Sequence, residues 1–207
     1  MYRINHFNNH FSFMGTGKMT STGDGVEGLA DDRGLFSFVG NGMELNLYGG
    51  NYQYTGTGFG LDKNDTAPST TNAAYALLNI TNGATANIFN DVILGNLEKD
   101  TSRAYYNVYT AGKVNMFGGT IQNGVSGVNG AGGNVTIAAN GALNMYGGTI
   151  KDGTGFYRGG NVQVKGGGVL NMELDGSMIS GGTAPSGGGT IYLGESATMN
   201  MHGGTVR

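Results

Sequence analysis

The sequence predicts an all-β protein folded as a right-handed parallel β-helix, a β-solenoid of about six coils with an N-terminal cap region. Three observations predict this fold: a strand-sized segment recurs about every 28 residues, 42 glycines concentrate at fixed points of the repeat, and apolar residues alternate with a spacing of two. A spacing of two is typical of β-strands, whereas helical repeats show a period of 3.6 residues. Propeller blades need about 40 residues or more, so the shorter interval indicates a stacked coil.

The most regular part of the repeat is a segment that we call strand B. Its six copies begin at Leu45 (LNLYGGNY), Ala86 (ANIFNDVI), Val114 (VNMFGGTI), Leu143 (LNMYGGTI), Leu170 (LNMELDGSMI) and Met199 (MNMHGGTV). Successive copies start 41, 28, 29, 27 and 29 residues apart. The first and third residues of each copy are apolar and the second is Asn, which predicts one face toward a core and one toward solvent.

A second short strand, strand A, precedes each copy of strand B. Its copies are FSFV from Phe36, LNI from Leu78, YNVY from Tyr106, VTI from Val135, VQV from Val162 and IYL from Ile191. Most of the turns between the two strands contain Asn-Gly or Gly-Gly, which favour left-handed backbone conformations. Such turns also suit antiparallel hairpins. The in-phase repeat favours parallel coils instead, because stacking then places each side chain above its equivalent.

The repeat divides the chain into two regions. Residues 1–34 do not match it and are predicted to be an N-terminal cap or irregular segment, with His6, Phe7, Phe11 and Phe13 covering the first open coil. A solenoid needs such caps because its end coils expose unpaired strands. Residues 35–207 form the predicted β-helix, and the 41-residue interval predicts a loop insertion near residues 55–71. After the last strand B, we expect further coils in a longer parent chain or pairing of the open end with another molecule.

Two rows of equivalent side chains are the candidate functional surface. The second position of strand B is Asn46, Asn87, Asn115, Asn144, Asn171 and Asn200, and two positions later come Tyr48, Phe89, Phe117, Tyr146, Glu173 and His202. Stacked Asn amides can hydrogen-bond along the rod, and stacked aromatic rings add packing energy. Alternatively, the rows form a strip on which sugar rings lie or a protein contact face. The candidate binding residues are Tyr48, Phe89, Phe117, Tyr146, Asn115 and Asn144.

Composition argues against several classes of function. The net charge is −3 with 12% charged residues and no basic run, which argues against nucleic-acid binding. Cysteine is absent, so neither disulfides nor thiolate metal sites are expected. No apolar run approaches the roughly 18 residues of a membrane span. We therefore predict no cofactor, no metal site, no nucleic-acid partner and no membrane insertion.

Candidate catalytic groups are sparse. Sugar-cleaving enzymes need clustered carboxylates, and acids are scarce in the repeat, where Asp152 lies near Arg158 and Glu173 near Asp175 in the sequence. We interpret these as surface charges. The acidic residues of segment 24–32 lack the spacing of a calcium-binding loop. The sequence thus favours a protein that is not an enzyme, with no assigned catalytic residue.

The segments GGNVTIAANGALNMYGGTIKDG and GGGTIYLGESATMNMHGGTV resemble the GGTI-type coils of bacterial cell-surface proteins with right-handed parallel β-helices, whose fold is similar to that of pectin lyases. The resemblance covers residues 35–207 and is strongest from Val114 onward. It implies an extracellular or cell-surface location. Its members include stalks, adhesins and polysaccharide lyases, but a lyase-type acidic cluster does not match this chain residue by residue.

Repeat and resemblance together predict an extracellular structural or adhesive module that self-associates end to end into filaments. Its expected partners are further copies or neighbouring coils, and glycans or a host surface. The alternative is a polysaccharide-binding domain that uses the aromatic strip. A polysaccharide lyase or glycosidase that uses carboxylates such as Asp152 and Asp175 is a further alternative.

Overall fold

The chain folds as a parallel β-solenoid made of three long sheets. The structure is a computed structural model that describes residues 2–4, 10–13, 18–21, 36–54, 61–62, 76–99, 103–104, 106–126 and 131–207. Each long sheet has seven strands, and every coil contributes one strand to each sheet. The described residues contain strands, turns and bends but no helix.

Sheets A and B correspond to the two predicted strands, and sheet C is formed by the residues that follow strand B. Sheet A contains Tyr2–Ile4, Phe36–Val39, Ala76–Thr81, Tyr106–Thr110, Val135–Ile137, Val162–Val164 and Ile191–Leu193. Sheet B contains His10–Phe13, Glu44–Leu47, Thr85–Ile88, Lys113–Met116, Ala142–Met145, Val169–Met172 and Thr198–Met201. Sheet C contains Lys18–Ser21, Gly50–Tyr54, Val92–Leu94, Thr120–Gln122, Gly148–Lys151, Ser177–Ser180 and Thr205–Val206.

Equivalent residues of successive coils pair in parallel and in register, which confirms the predicted stacking. In sheet B, Asn115 pairs with Asn87 on one side and with Asn144 on the other. The turns also match their sequence: Asn82 and Asn140, which begin two Asn-Gly turns, have φ of 53° and 62°. Asn tolerates this left-handed conformation better than most residues. The right-handed sense of the coil stays a prediction, favoured by the general preference of parallel crossovers.

The number of coils differs from the prediction, because sheets A, B and C each begin with a strand from residues 2–21. His10 pairs with Glu44, and Ser12 pairs with Asn46. Ser therefore occupies the position of the repeated Asn, and no Gly-Gly follows, so the repeat did not reveal this coil. The described residues form seven coils rather than about six, and part of the predicted cap segment continues the sheets. The remaining residues of 1–34, including His6 and Phe7, lie outside the described residues.

The predicted insertion falls between the sheet C strand Gly50–Tyr54 and the sheet A strand Ala76–Thr81. Within it, Leu61–Asp62 pairs antiparallel with Arg103–Ala104 from the same loop position one coil later. The other residues of 55–71 lie outside the described residues. Length variation therefore concentrates in the connections from sheet C to sheet A.

The core fills the narrow space between the three sheets. In sheet B, the alternating apolar residues such as Val114, Met116 and Leu143 are fully buried, as predicted from the spacing of two. Sheets A and C complete the layer with residues such as Val135 and Ile150. Burying each such side chain stabilises the fold by about 1.5–3 kcal/mol.

The sharp corner between sheets B and C depends on glycine. Gly148 has φ of 84°, and a Cβ there would lie 2.6 Å from the carbonyl oxygen of Gly118 on the adjacent coil. Where Gly-Gly is replaced by Asn90-Asp91, the corner gains a residue and Asp91 takes a φ of 64°. The departures from GGTI are thus small insertions at one corner, which leave the register intact.

Candidate functional site

A continuous ladder of Asn side chains runs along the outer surface of sheet B. Each amide nitrogen Nδ2 donates to the Oδ1 of the equivalent Asn in the preceding coil. The bonds are Asn87 to Asn46 at 2.8 Å, Asn115 to Asn87 at 2.9 Å, Asn144 to Asn115 at 2.9 Å, Asn171 to Asn144 at 2.7 Å, and Asn200 to Asn171 at 2.8 Å. Every inner amide therefore uses both its donor and its acceptor along the rod axis. Such a ladder penalises any slip in register.

The predicted aromatic row forms a continuous stack beside this ladder. The ring centroids of Tyr48 and Phe89 lie 4.5 Å apart. The ring centroid of Phe117 lies 5.1 Å from that of Phe89 and 5.1 Å from that of Tyr146. The planes deviate by only 11° to 15°, so the rings lie face to face. Tyr48 and Phe117 are each 43% exposed. Because neighbouring rings cover their faces, the inner rings present mainly their edges to solvent.

The structure brings all six candidate binding residues together on one surface. Asn115 and Asn144 lie in the amide ladder, while Phe117 and Tyr146 follow them at the corner of the same two coils. In the next two coils the row changes chemistry, and Nδ1 of His202 lies 2.8 Å from Oε2 of Glu173. Sugar binding at this surface stays a prediction, and it would use ring edges and amides rather than free ring faces.

A second amide ladder, which the sequence reasoning missed, lies buried at the corner between sheets C and A. Asn107 donates to Oδ1 of Asn134 at 2.7 Å, and Asn134 donates to Oδ1 of Asn161 at 2.8 Å. All three side chains are fully buried. Asn134 also donates to the carbonyl of Lys151 at 2.7 Å, and its Oδ1 accepts from the amide of Gly124. The signal in the sequence was an Asn-Val dipeptide that begins at Asn107, Asn134 and Asn161, at or just before the start of strand A.

The proposed carboxylate groups do not form a catalytic pair. Asp152 directly follows the sheet C strand Gly148–Lys151, whereas Asp175 precedes the next strand of that sheet, Ser177–Ser180. A four-residue strand spans about 13 Å, which exceeds the carboxylate separations of glycosidases. Glu173 instead pairs with His202.

Loops cover part of the outer face of sheet A. The hydroxyl of Thr136 accepts from the amide of Gly132 at 3.0 Å, and its side chain is fully buried. One coil before Thr136, burial raises the pKa of Tyr109 above its ordinary value of 10.0. At the end of the adjacent strand A, desolvation lowers the pKa of Lys165.

A cluster of arginine and aromatic side chains lies on this loop surface, and we call it the Arg158 cluster. It consists of Tyr157, Arg158 and Tyr192, and the exposed Phe156 precedes Tyr157 in the chain. The guanidinium carbon of Arg158 lies 5.1 Å from the ring centroid of Tyr157 and 4.7 Å from that of Tyr192. Nη1 of Arg158 donates to the hydroxyl of Tyr192 at 2.5 Å. Sequence reasoning missed the cluster because Tyr192 belongs to the following coil.

No protein-family model, curated protein or solved structure matches the chain. Among the described residues, no group of three or more His, Cys, Asp or Glu side chains is placed to hold a metal ion. No helix among those residues is long and apolar enough to cross a membrane.

Proposed function

We propose that this chain is an extracellular structural or adhesive β-solenoid module, of the kind found in bacterial cell-surface proteins with GGTI-type coils. The observation that carries the proposal is the unbroken Asn ladder of sheet B, which links six successive coils by side-chain hydrogen bonds. The buried ladder at the corner between sheets C and A adds a second set of axial bonds. Axial side-chain hydrogen bonds on two sides of the rod oppose bending, which suits a stalk or spacer.

We propose further that copies associate end to end through the coil that contains Ile191–Leu193 and Thr198–Met201. Its apolar side chains Leu193 and Met201 are 41% and 49% exposed, although their equivalents Val164 and Met172 are fully buried. Exposed strand edges can pair with another chain, and a charge content of 12% offers little repulsion. Because such a contact joins unlike ends, it would generate a filament.

Electron microscopy of the purified chain at several concentrations tests this proposal. Seven strands per sheet at about 4.8 Å each predict a rise of about 34 Å per copy along a filament. The variant Met201→Lys should abolish filaments, because it places a charge in the contact between coils. The control Glu195→Lys changes an exposed turn of the same coil and should leave filaments intact. Discrete monomers of the unmodified chain at all concentrations would refute end-to-end association.

A second candidate function is polysaccharide binding at the aromatic row. It is favoured by the exposed edges of Tyr48, Phe117 and Tyr146 beside a row of amides. Affinity electrophoresis in gels that contain neutral polysaccharides would detect it as retarded migration. The double variant Phe117→Ala with Tyr146→Ala should lose the retardation, whereas Leu97→Ala, at an exposed residue of a loop, should keep it. Equal migration of all three proteins would reject this function.

A further inference from the structure

The Arg158 cluster departs from the repeat in a way that the fold does not require. Its loop, GTGFYRGG at residues 153–160, aligns with GTAPSGGG at residues 182–189 of the next coil. Thr154 forms a parallel bridge with Thr183, and the amide of Ser186 donates to the carbonyl of Tyr157 at 3.0 Å. The two loops therefore follow the same path, yet the second has Ser and Gly in place of Tyr157 and Arg158.

Contacts with two tyrosines orient the Arg158 side chain, and no ion pair among the described residues neutralises its charge. The rings of Tyr157 and Tyr192 both lie within cation–π distance of its guanidinium, and the hydroxyl of Tyr192 accepts from one of its nitrogens. Neither ion pair between described residues involves Arg158. A guanidinium carries five N–H donors in a planar fork that matches a carboxylate. Since Nη1 already has a partner, the other nitrogens can still bind a carboxylate from outside the chain.

Two exposed aromatic residues precede this cation in the chain. Phe156 and Tyr157, which precede it directly in the chain, are 54% and 40% exposed. Aromatic residues and arginine are the residue types enriched in the energetic centres of protein interfaces. Charged residues make up only 12% of the chain, so a charged side chain between aromatic rings is unusual for this protein.

We propose that the Arg158 cluster is a docking site for a partner protein segment that presents an Asp or Glu carboxylate beside an apolar side chain. The carboxylate would bind the remaining N–H donors of Arg158, and the apolar side chain would pack on Phe156. A protein segment fits better than a sugar, because Arg158 occupies one face of both the Tyr157 and Tyr192 rings. This inference deepens the adhesive part of the proposed function and does not depend on filament formation.

The test is a titration of the isotope-labelled chain with the capped tripeptide acetyl-Leu-Asp-Phe-amide, followed by NMR. The Nε–Hε signal of Arg158 and the amide signals of Gly155 and Gly159 should shift. The matched tripeptide with Asn in place of Asp should bind about tenfold more weakly, since it lacks the charge-assisted hydrogen bonds. Glucuronate, a carboxylate carried on a sugar, serves as the saccharide probe.

Two variants locate the effect. Tyr157→Ser combined with Arg158→Gly installs residues that the next coil already uses on the same loop path, and it should abolish the shifts of the glycine amides. Arg158→Gln alone should also abolish them and provides a second variant if the first unfolds. Lys113→Gln removes an exposed cation from sheet B and should leave binding unchanged.

Three outcomes would overturn the proposal. These are the absence of shifts with the Asp peptide, equal binding of the Asp and Asn peptides, and shifts that persist in Arg158→Gln. Glucuronate binding as tightly as the Asp peptide would identify a saccharide site instead. Filaments that form normally while the peptide fails to bind would reject this inference alone.

Discussion

Removing one inner member of the Asn ladder should destabilise the protein more than removing its last member. Asn144 donates to Asn115 at 2.9 Å and accepts from Asn171 at 2.7 Å, so Asn144→Ala breaks two hydrogen bonds. Among the described residues, the exposed side chain of Asn200 makes one hydrogen bond, to Asn171 at 2.8 Å. Asn200→Ala therefore breaks one bond and leaves the partner amide near water.

The expected magnitudes follow from the number of bonds. A typical intramolecular hydrogen bond contributes about 0.5–1.5 kcal/mol net. Asn144→Ala should then lower the free energy of unfolding by about 2 kcal/mol. For Asn200→Ala, the expected loss is about 0.5 kcal/mol, because water replaces the lost partner.

Urea unfolding followed by circular dichroism measures both differences from the shift in midpoint at constant slope. The double variant provides a further check, because Asn171 bonds to both residues and a departure from additivity would measure coupling through the ladder. Equal losses for the two single variants would refute the reasoning, since the ladder would then contribute no more than any surface amide. A change in slope for either variant would indicate that unfolding is no longer a single cooperative step.

Three further predictions concern packing and pH. Gly160→Ala places a Cβ against the backbone of the next coil, at the carbonyl oxygen of Gly189, and should cost about 1–3 kcal/mol in urea unfolding. Gly176→Ala, whose Cβ has no neighbour closer than 4.0 Å, should be nearly neutral, and equal effects would contradict the close stacking of coils. Phe117→Ala removes two ring stacks, so it should reduce the free energy of unfolding by about 1–3 kcal/mol and lower the thermal midpoint. An unchanged midpoint would mean that the stack does not contribute to stability. Burial raises the pKa of Tyr52 above its ordinary value of 10.0, so its contribution to the free energy of unfolding is fully present below pH 10.0 and is lost as the pH rises through the folded-state pKa. Tyr52→Phe should therefore reduce the loss of stability at alkaline pH in unfolding curves. An identical loss in the variant would exclude Tyr52 as its source.

The repeat predicted most of the fold because parallel stacking places similar side chains at equivalent positions of successive coils. Val114, Met116 and Asn115 alternate as a half-buried strand must, and their equivalents recur at nearly constant intervals. The first coil escaped detection because Ser12 replaces Asn at the ladder position, while the backbone pairing needs no particular side chain there. Pairing in a sheet depends on backbone groups, so a coil can form without the full side-chain pattern.

The sequence predicted which residues share the candidate surface but not how their side chains are arranged. The spacing of Phe117 and Tyr146 indicates that they share a face, and the structure confirms that they are neighbours. Whether rings in such a row stack face to face or splay apart depends on side-chain torsion angles, which spacing does not determine. The Arg158 cluster joins a loop residue to Tyr192 of the next coil, so only the fold could reveal it.

The central claim, a rigid rod of coils stacked in parallel register, is tested most directly by one distance. Thr85 and Thr198 occupy equivalent outer positions of sheet B and are four inter-coil steps apart. The chain has no cysteine, so Thr85→Cys with Thr198→Cys provides two unique sites for spin labels. At about 4.8 Å per step, pulsed electron paramagnetic resonance should give a narrow distribution of distances centred near the expected backbone separation of about 19 Å, after allowance for the label linkers. A broad distribution, or a narrow one at a clearly different distance, would contradict the account.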